Sequence, residues 1–508
     1  MIKRMVVAAV CLGLGLAAGG GFGQDAPARK APVEQQPQEP KDTCVRTAHS
    51  ATIGGVKVDY EAAAGTIVLK NDAGKPTAAV FYVAYTKKGA KGAAERPLAF
   101  AFNGGPGSSA VWLHLGCLGP RRVAVSEGGE QIAPPYRLVD NESSLLDTTD
   151  LVFIDPVSTG LSRPAPGQDG KKFHGVQGDI QSVGEFIRLY VTRNGRWNSP
   201  KFLIGESYGT TRASLLVDHM QKELGMNFNG VVLVAPALKF QTFLQTGTND
   251  LAYTLFLPGF TAAAWYHKKL PTDLQGDLQQ TLAAARKFAQ NEYSQALFKG
   301  STLTPAERRQ VAEQVARFTG LDAAYVLRKD FRIGVDEFME RLLAKEHLIV
   351  GRFDSRIKGP HRLDDPIQQP YSDPSDALVQ GPFTATVNDY LRHELGYASD
   401  LPYETLNLHV QPWDWGLPIP AYLDVSNHLA AAMRTNPNLR VFVATGYYDL
   451  ATSFMGTEYT VSHLGLPPEL VDHVAIGYYE AGHMMYVHGE SRHKLKQDLA
   501  RFCSGGRS

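Results

Sequence analysis

The sequence predicts an α/β fold: a mostly parallel sheet with helices on both faces, interrupted by an inserted, largely helical cap. Three observations carry this. Short apolar runs alternate with helical periodicity from residue 97 to about 240, the alternation lapses between 241 and 430, and it returns after residue 438. Alternating strand and helix patterns of this kind build a parallel sheet buried on both faces.

The elements follow in chain order. Lys3 and Arg4 precede an apolar run from Met5 to Ala18 and small residues to Gly23. That is the pattern of a cleaved secretory signal, so residues 1–23 are expected to direct export to a periplasm or the exterior. The run is short and Gly-rich for a membrane span, which needs about 20 apolar residues. No stable span is expected after cleavage. Residues 24–45 read as a Pro-rich linker with little to bury. Thr66–Leu69 and Ala78–Tyr85 read as strands joined by an Asn71–Gly74 turn. Leu98–Phe102, Leu151–Ile154, Phe202–Ile204 and Val231–Ala235 read as buried strands, and Ile180, Val183, Ile187 and Tyr190 recur at helical spacing. These belong to a first core segment, 46–240. Within the cap, 241–430, Thr304-Pro305-Ala306-Glu307 is a capping box. The core resumes over 431–508, with strands at Arg440–Ala444 and Val474–Tyr478.

Composition narrows the function. Among 508 residues, 51 Lys and Arg balance 51 Asp and Glu, which argues against a nucleic-acid surface. Loss of Lys3 and Arg4 with the signal leaves a net charge of −2. Four Cys are too few for a disulfide scaffold. Cys44 and Cys503 lie near opposite ends of the mature chain and are candidates for one bridge, whereas Cys117 reads as a buried hydrophobe.

The chemistry lies in four loops. Gly205-Glu206-Ser207-Tyr208-Gly209 matches G-x-S-x-G and sits between a predicted strand and a predicted helix. This is the setting of a nucleophile elbow. A serine hydroxyl needs a base, and the base needs an orienting acid. Asp449 and His483 each follow a predicted strand through a short loop, in the order expected of this fold. Asn103-Gly104-Gly105-Pro106-Gly107-Ser108-Ser109 follows Leu98–Phe102. It lacks the Gly-Lys-Ser/Thr ending of a phosphate loop and is placed to supply an oxyanion-hole donor. Neither H-E-x-x-H nor a Cys pair is present to suggest a metal site.

Together these loops resemble the serine carboxypeptidases, peptidase family S10, and imply an α/β-hydrolase fold. Phe153-Ile154-Asp155-Pro156-Val157-Ser158-Thr159-Gly160-Leu161-Ser162 and Ala481-Gly482-His483-Met484 carry the same resemblance, which covers about 97–240 and 438–490 and is faint in the cap. The resemblance implies a catalytic triad of Ser207, Asp449 and His483. It implies an oxyanion hole from the N–H groups of Gly105 and Tyr208, and a site for the substrate's terminal carboxylate at Asn103, Gly104 and Glu206. Met484 would line the S1′ pocket. Three departures stand out. Ala101 occupies a position where the family often has Trp, Ser108 replaces a disulfide-forming Cys, and Gly446-Tyr447-Tyr448-Asp449 replaces Gly-Asp-x-Asp.

The expected activity is release of C-terminal amino acids from peptides with a free carboxylate, through an acyl-enzyme, with an acidic preference and no cofactor or metal. An esterase or acyltransferase on the same machinery is the alternative. A non-catalytic binding protein on a hydrolase-like fold is another. Side-chain preference, oligomeric state and physiological substrate stay open. A fluorophosphonate is expected to label Ser207, detected by peptide mass, and to leave Ser207→Ala unlabelled. A labelled alanine variant places the nucleophile elsewhere.

Overall fold

The computed structural model describes residues 39–89, 95–126, 130–247, 249–361, 373–417 and 422–505. The expected signal segment and residues 24–38 of the expected linker lie outside them. Nine strands form one continuous sheet path: β1 (Thr43–Ile53), β2 (Val56–Lys70), β3 (Pro76–Lys87), β4 (Leu98–Phe102), β5 (Asp150–Ile154), β6 (Lys201–Glu206), β7 (Gly230–Val234), β8 (Arg440–Gly446) and β9 (Val474–Tyr479). Their spatial order is β1-β2-β3-β5-β4-β6-β7-β8-β9, with the two-residue strand Arg163–Pro164 added beside β3. The β1, β2, β3 and β5 pairings are antiparallel, and all later ones are parallel.

β1 is the strand that the sequence reading missed. It begins at Thr43, inside the stretch read as linker, and its exposure alternates along a polar edge strand. Its less exposed positions are Val45, Thr47, His49, Ala51 and Ile53, so two polar residues interrupt the apolar alternation and weaken the hydrophobic signal. The Asn71 turn forms as expected, with its side chain accepting from the Lys75 N–H at 2.9 Å.

The sheet is buried on both faces, and β4 shows the alternation. Leu98, Phe100 and Phe102 face one core, while Ala99 and Ala101 face the other. Helices α1 (Val176–Arg193) and α2 (Tyr208–Leu224) cover the first face through Ile180, Val183, Ile187, Leu216 and Met220. The segment 241–430 divides. Helix α3 (Asp250–Tyr266) and the helices following it to Val350 build a third core that meets Tyr447, Tyr448 and Phe454. Its Thr304 capping box is complete, with the Glu307 side chain accepting from the Thr304 N–H at 2.7 Å. Helix α4 (Pro374–Asp389) instead packs Leu378 and Phe383 against the second sheet face, beside helix α5 (Gly489–Cys503).

The three cysteines of the described residues are free. Cys44 is exposed on β1, and Cys117 and Cys503 are buried. The candidate Cys44–Cys503 bridge therefore does not form. Cys503 turns into the core beside Phe502, and burial raises the Cys117 and Cys503 thiols. Iodoacetamide is expected to modify Cys44 in the native protein, and Cys117 and Cys503 only after unfolding without reductant. A disulfide-linked peptide pair in the mass map contradicts this.

Candidate active site

The candidate site is built at the carboxyl ends of the parallel strands, where sheets of this kind place their chemistry. β6 ends at Glu206, and α2 begins at Tyr208. Ser207 alone makes the turn between them, at φ 57° and ψ −128°. A non-glycine residue held there is strained, and the surroundings must hold it. The Ser207 N–H donates to the Val234 carbonyl at 3.0 Å, and the Ser207 carbonyl accepts from Thr210 N–H at 2.8 Å. The turn is so tight that a Cβ on Gly205 would stand 2.2 Å from the Gly209 carbonyl oxygen. This is why the motif has glycine on both sides of the serine.

The Asn103 loop lies directly against this elbow. A Cβ on Gly104 would come within 2.4 Å of the Tyr208 nitrogen, so only glycine permits the approach. Gly105 is exposed beside it with φ +100°. As the first helical residue, Tyr208 has an N–H with no acceptor inside its own helix. A strap over residues 404–411 secures the outer side of the loop. Asn407 N–H donates to the Gly107 carbonyl at 2.8 Å, and Ser108 bridges to Leu406. Trp112 Nε1–H donates to Ser108 Oγ at 2.8 Å. These contacts hold the loop where the resembling family has a disulfide.

The acid and base meet as expected. His483 Nδ1 lies 2.8 Å from Asp449 Oδ2. Asp449 is fully buried and also accepts from the N–H groups of Ala451 and Thr452 and from the Thr452 hydroxyl. Saturated by donors, its carboxyl is held in one orientation toward the imidazole. Burial alone lowers the imidazole pKa. The Asp449 charge and hydrogen bond, with the Glu206 charge, outweigh burial, and the net shift is upward. The His483 N–H also donates to the Phe353 carbonyl at 2.6 Å, and the Phe353 ring packs against the imidazole.

Glu206 sits one residue before the serine and is 3% exposed. Burial pushes its carboxyl up to about 7, opposed by His483, Tyr486 and Asn103. Its Oε2, the Asn103 Nδ2 and the Tyr486 hydroxyl are buried with no hydrogen-bond partner in ordinary geometry. Asn103 Oδ1 already accepts from Leu113 N–H at 3.0 Å, so the open end of that amide is a donor. Buried polar groups rarely stay unsatisfied, and three in one region mark a place for a polar ligand.

Beneath the elbow lies a buried ion pair. Arg212 Nε donates to Asp179 at 2.9 Å, and both side chains are at most 2% exposed. Arg212 Nη1 donates to the Asn103 carbonyl at 2.6 Å, and the Tyr208 hydroxyl donates to Asp179 at 3.2 Å. Its guanidinium stands 5.3 Å from both the Phe102 and Tyr208 rings.

A cavity of about 250 Å³ joins Asn103, Gly104, Gly105, Glu206, Ser207, His483 and Met484. Asp449 stands behind the histidine, and Tyr208 underlies the loop. Sequence reasoning missed the opposite walls: Trp112, Arg352, Phe353, Asp376, Gln380 and Leu408. Most of these come from the cap region, where neither periodicity nor resemblance points to a function. Arg212 was legible only as a charge on a helix, a position usually solvated.

The serine carboxypeptidase family profile matches residues 57–472. The chain belongs to the serine carboxypeptidase family. No curated protein matches it. Among solved structures it is similar to KEX1(delta)p, a prohormone-processing carboxypeptidase from Saccharomyces cerevisiae, with a TM-score of 0.54 and 16% identity over 88% of this chain and 91% of that one. It is also similar to a proline iminopeptidase from Mycobacterium smegmatis, with a TM-score of 0.36 and 13% identity over 87% of this chain and 98% of that one. The first likeness agrees with the fold. In this serine carboxypeptidase family member, His483 lies beyond the matched residues, so its bond to Asp449 is what ties it to the site.

Arg212→Met leaves Asp179 as an uncompensated buried charge, and is expected to destabilise the protein by about 3–5 kcal/mol. Urea unfolding measures this, and an unchanged midpoint refutes the anchoring role.

Proposed function

We propose that this serine-type hydrolase removes single amino acids from the free carboxyl end of peptides. The observation that supports this most is the buried Glu206 carboxyl beside the nucleophile, facing the Asn103 amide and the Tyr486 hydroxyl without a well-formed hydrogen bond to either. A general esterase has no use for such a pair. A terminal carboxylate does: it accepts one hydrogen bond from Asn103 Nδ2 and one from protonated Glu206. Met484, which lines the cavity, would meet the last side chain at S1′.

In the proposed reaction Ser207 Oγ attacks the last peptide carbonyl while His483 takes its proton. The N–H groups of Gly105 and Tyr208 receive the oxyanion, and Asp449 stabilises the imidazolium. His483 returns the proton to the departing amine. Water then attacks the acyl-enzyme by the same route. Export through residues 1–23 belongs to this proposal, as does the absence of a nucleic-acid partner. Among the described residues no helix is long and apolar enough to cross a membrane.

The pH dependence follows from the two titrations. Glu206 donates only when protonated, so turnover of free-acid peptides is expected to fall as pH rises through about 7. His483 acts as a base only when neutral, so turnover also falls on the acid side. The groups are coupled: the Glu206 anion raises His483, and protonating Glu206 removes that influence. Free-acid peptides should therefore show a bell in kcat/KM, while C-terminal esters show only the acid-side loss. Parallel profiles for both substrates sink the role of Glu206.

A time course on one peptide and its C-terminal amide tests the activity itself. Stepwise loss of single residues from the free acid, with the amide much slower, is the expected result. Equal turnover of blocked substrates favours an esterase or acyltransferase.

A further inference from the structure

Arg352 lies on the cavity wall that also holds Ser207 and His483. Its backbone is pinned on both sides: the N–H donates to Asp373 Oδ1 at 3.1 Å, and the carbonyl accepts from Leu450 N–H at 2.9 Å. Its guanidinium carbon stands 5.0 Å from the Phe353 ring centroid, and that ring stands 5.2 Å from the His483 imidazole. The cation is thus stacked at the edge of the catalytic base.

The acids around it are engaged elsewhere. Asp354 pairs with Arg356, with a closest approach of 2.6 Å. Asp373 Oδ1 accepts from the Ser375 N–H and hydroxyl as well as from Arg352 N–H. Asp376, also on the cavity wall, accepts from Gln380 at 3.2 Å and senses the Arg352 charge without forming an ion pair, and Asp449 is saturated as described. Among the described residues, no carboxylate lies within ion-pair distance of the Arg352 guanidinium, although the residue is partly buried. A planar cation with five N–H donors and no protein acceptor, facing a substrate cavity, is suited to a carboxylate brought by the substrate.

We propose that Arg352 forms a subsite for an acidic side chain on one of the two residues flanking the scissile bond, so that the protein favours peptides with Asp or Glu there. The inference rests on the carboxypeptidase reading above. Asn103 and Glu206 take the terminal carboxylate, which leaves Arg352 for the side chain.

The test uses N-terminally blocked dipeptides with a free carboxyl end and Glu, Gln or Lys at the last or the penultimate position, assayed at pH about 6, where a free Glu side chain is ionised. The full chain should favour Glu over Gln at one position by about tenfold in kcat/KM, the scale of one charge-assisted contact. Arg352→Gln should bring that ratio near one, and Arg352→Glu should invert preference toward Lys. Unfolding midpoints of both variants report whether they fold. If neither folds, the unsubstituted protein decides: no Glu preference at either position overturns the proposal. A preference that survives both substitutions also overturns it. So does an equal loss on every free-acid peptide, which assigns the guanidinium to the terminal carboxylate. If even the Gln peptides release no terminal residue, the carboxypeptidase reading fails and takes this inference with it. Gln turnover without an Arg352-dependent ratio sinks the inference alone.

Discussion

The site hangs on one buried ion pair, Arg212 with Asp179. Neither charge meets water, so each must be satisfied within the protein. Asp179 receives the Arg212 Nε–H on both oxygens and the Tyr208 hydroxyl, and Arg212 Nη1 holds the Asn103 carbonyl. The elbow and the glycine loop are thereby fixed to each other and to α1. The proposed oxyanion donors come from those two pieces, so their spacing is set below the reacting atoms. A strained Ser207 backbone and a hydrogen-bond-hungry Glu206 can persist only on a support of this stiffness.

The glycine loop is clamped from two directions. Arg212 pulls from below, and the 404–411 strap crosses from outside, joined through Ser108, Gly107 and Trp112. Where relatives are expected to staple this loop covalently, this chain uses backbone pairing and one indole donor. Asn103 and Glu206 line the cavity on the loop's inner side, and Tyr486 lies buried behind them.

Much of this was legible in the sequence. Buried parallel strands such as Leu98–Phe102 are continuous apolar runs, and their bounds hold to within a residue or two. Asp449 and His483 could be found because each follows such a strand. The Thr304 capping box is local chemistry and survives any tertiary context. β1 escaped because Thr47 and His49 interrupt the apolar alternation of Val45, Ala51 and Ile53 on its inward face. Arg352 and Asp376 escaped for another reason. Their positions depend on the cap returning to the sheet, and nothing local encodes that return. Cys44 and Cys503 are near the ends of the described chain, but one faces solvent and the other the core.

The last helix places its own condition on the order of events. Phe502 packs against Phe202 and Phe442, and occupies the space that a side chain at Gly230 would fill. The central strands therefore close their core with residues made long after the strands themselves, and His483 arrives only shortly before those residues. A ribosome-bound chain carries the serine long before it carries its base. Without the proposed base it stays chemically silent towards its neighbours until His483 has emerged. Contacts of such sequence separation also form slowly, so the latency is a by-product of topology.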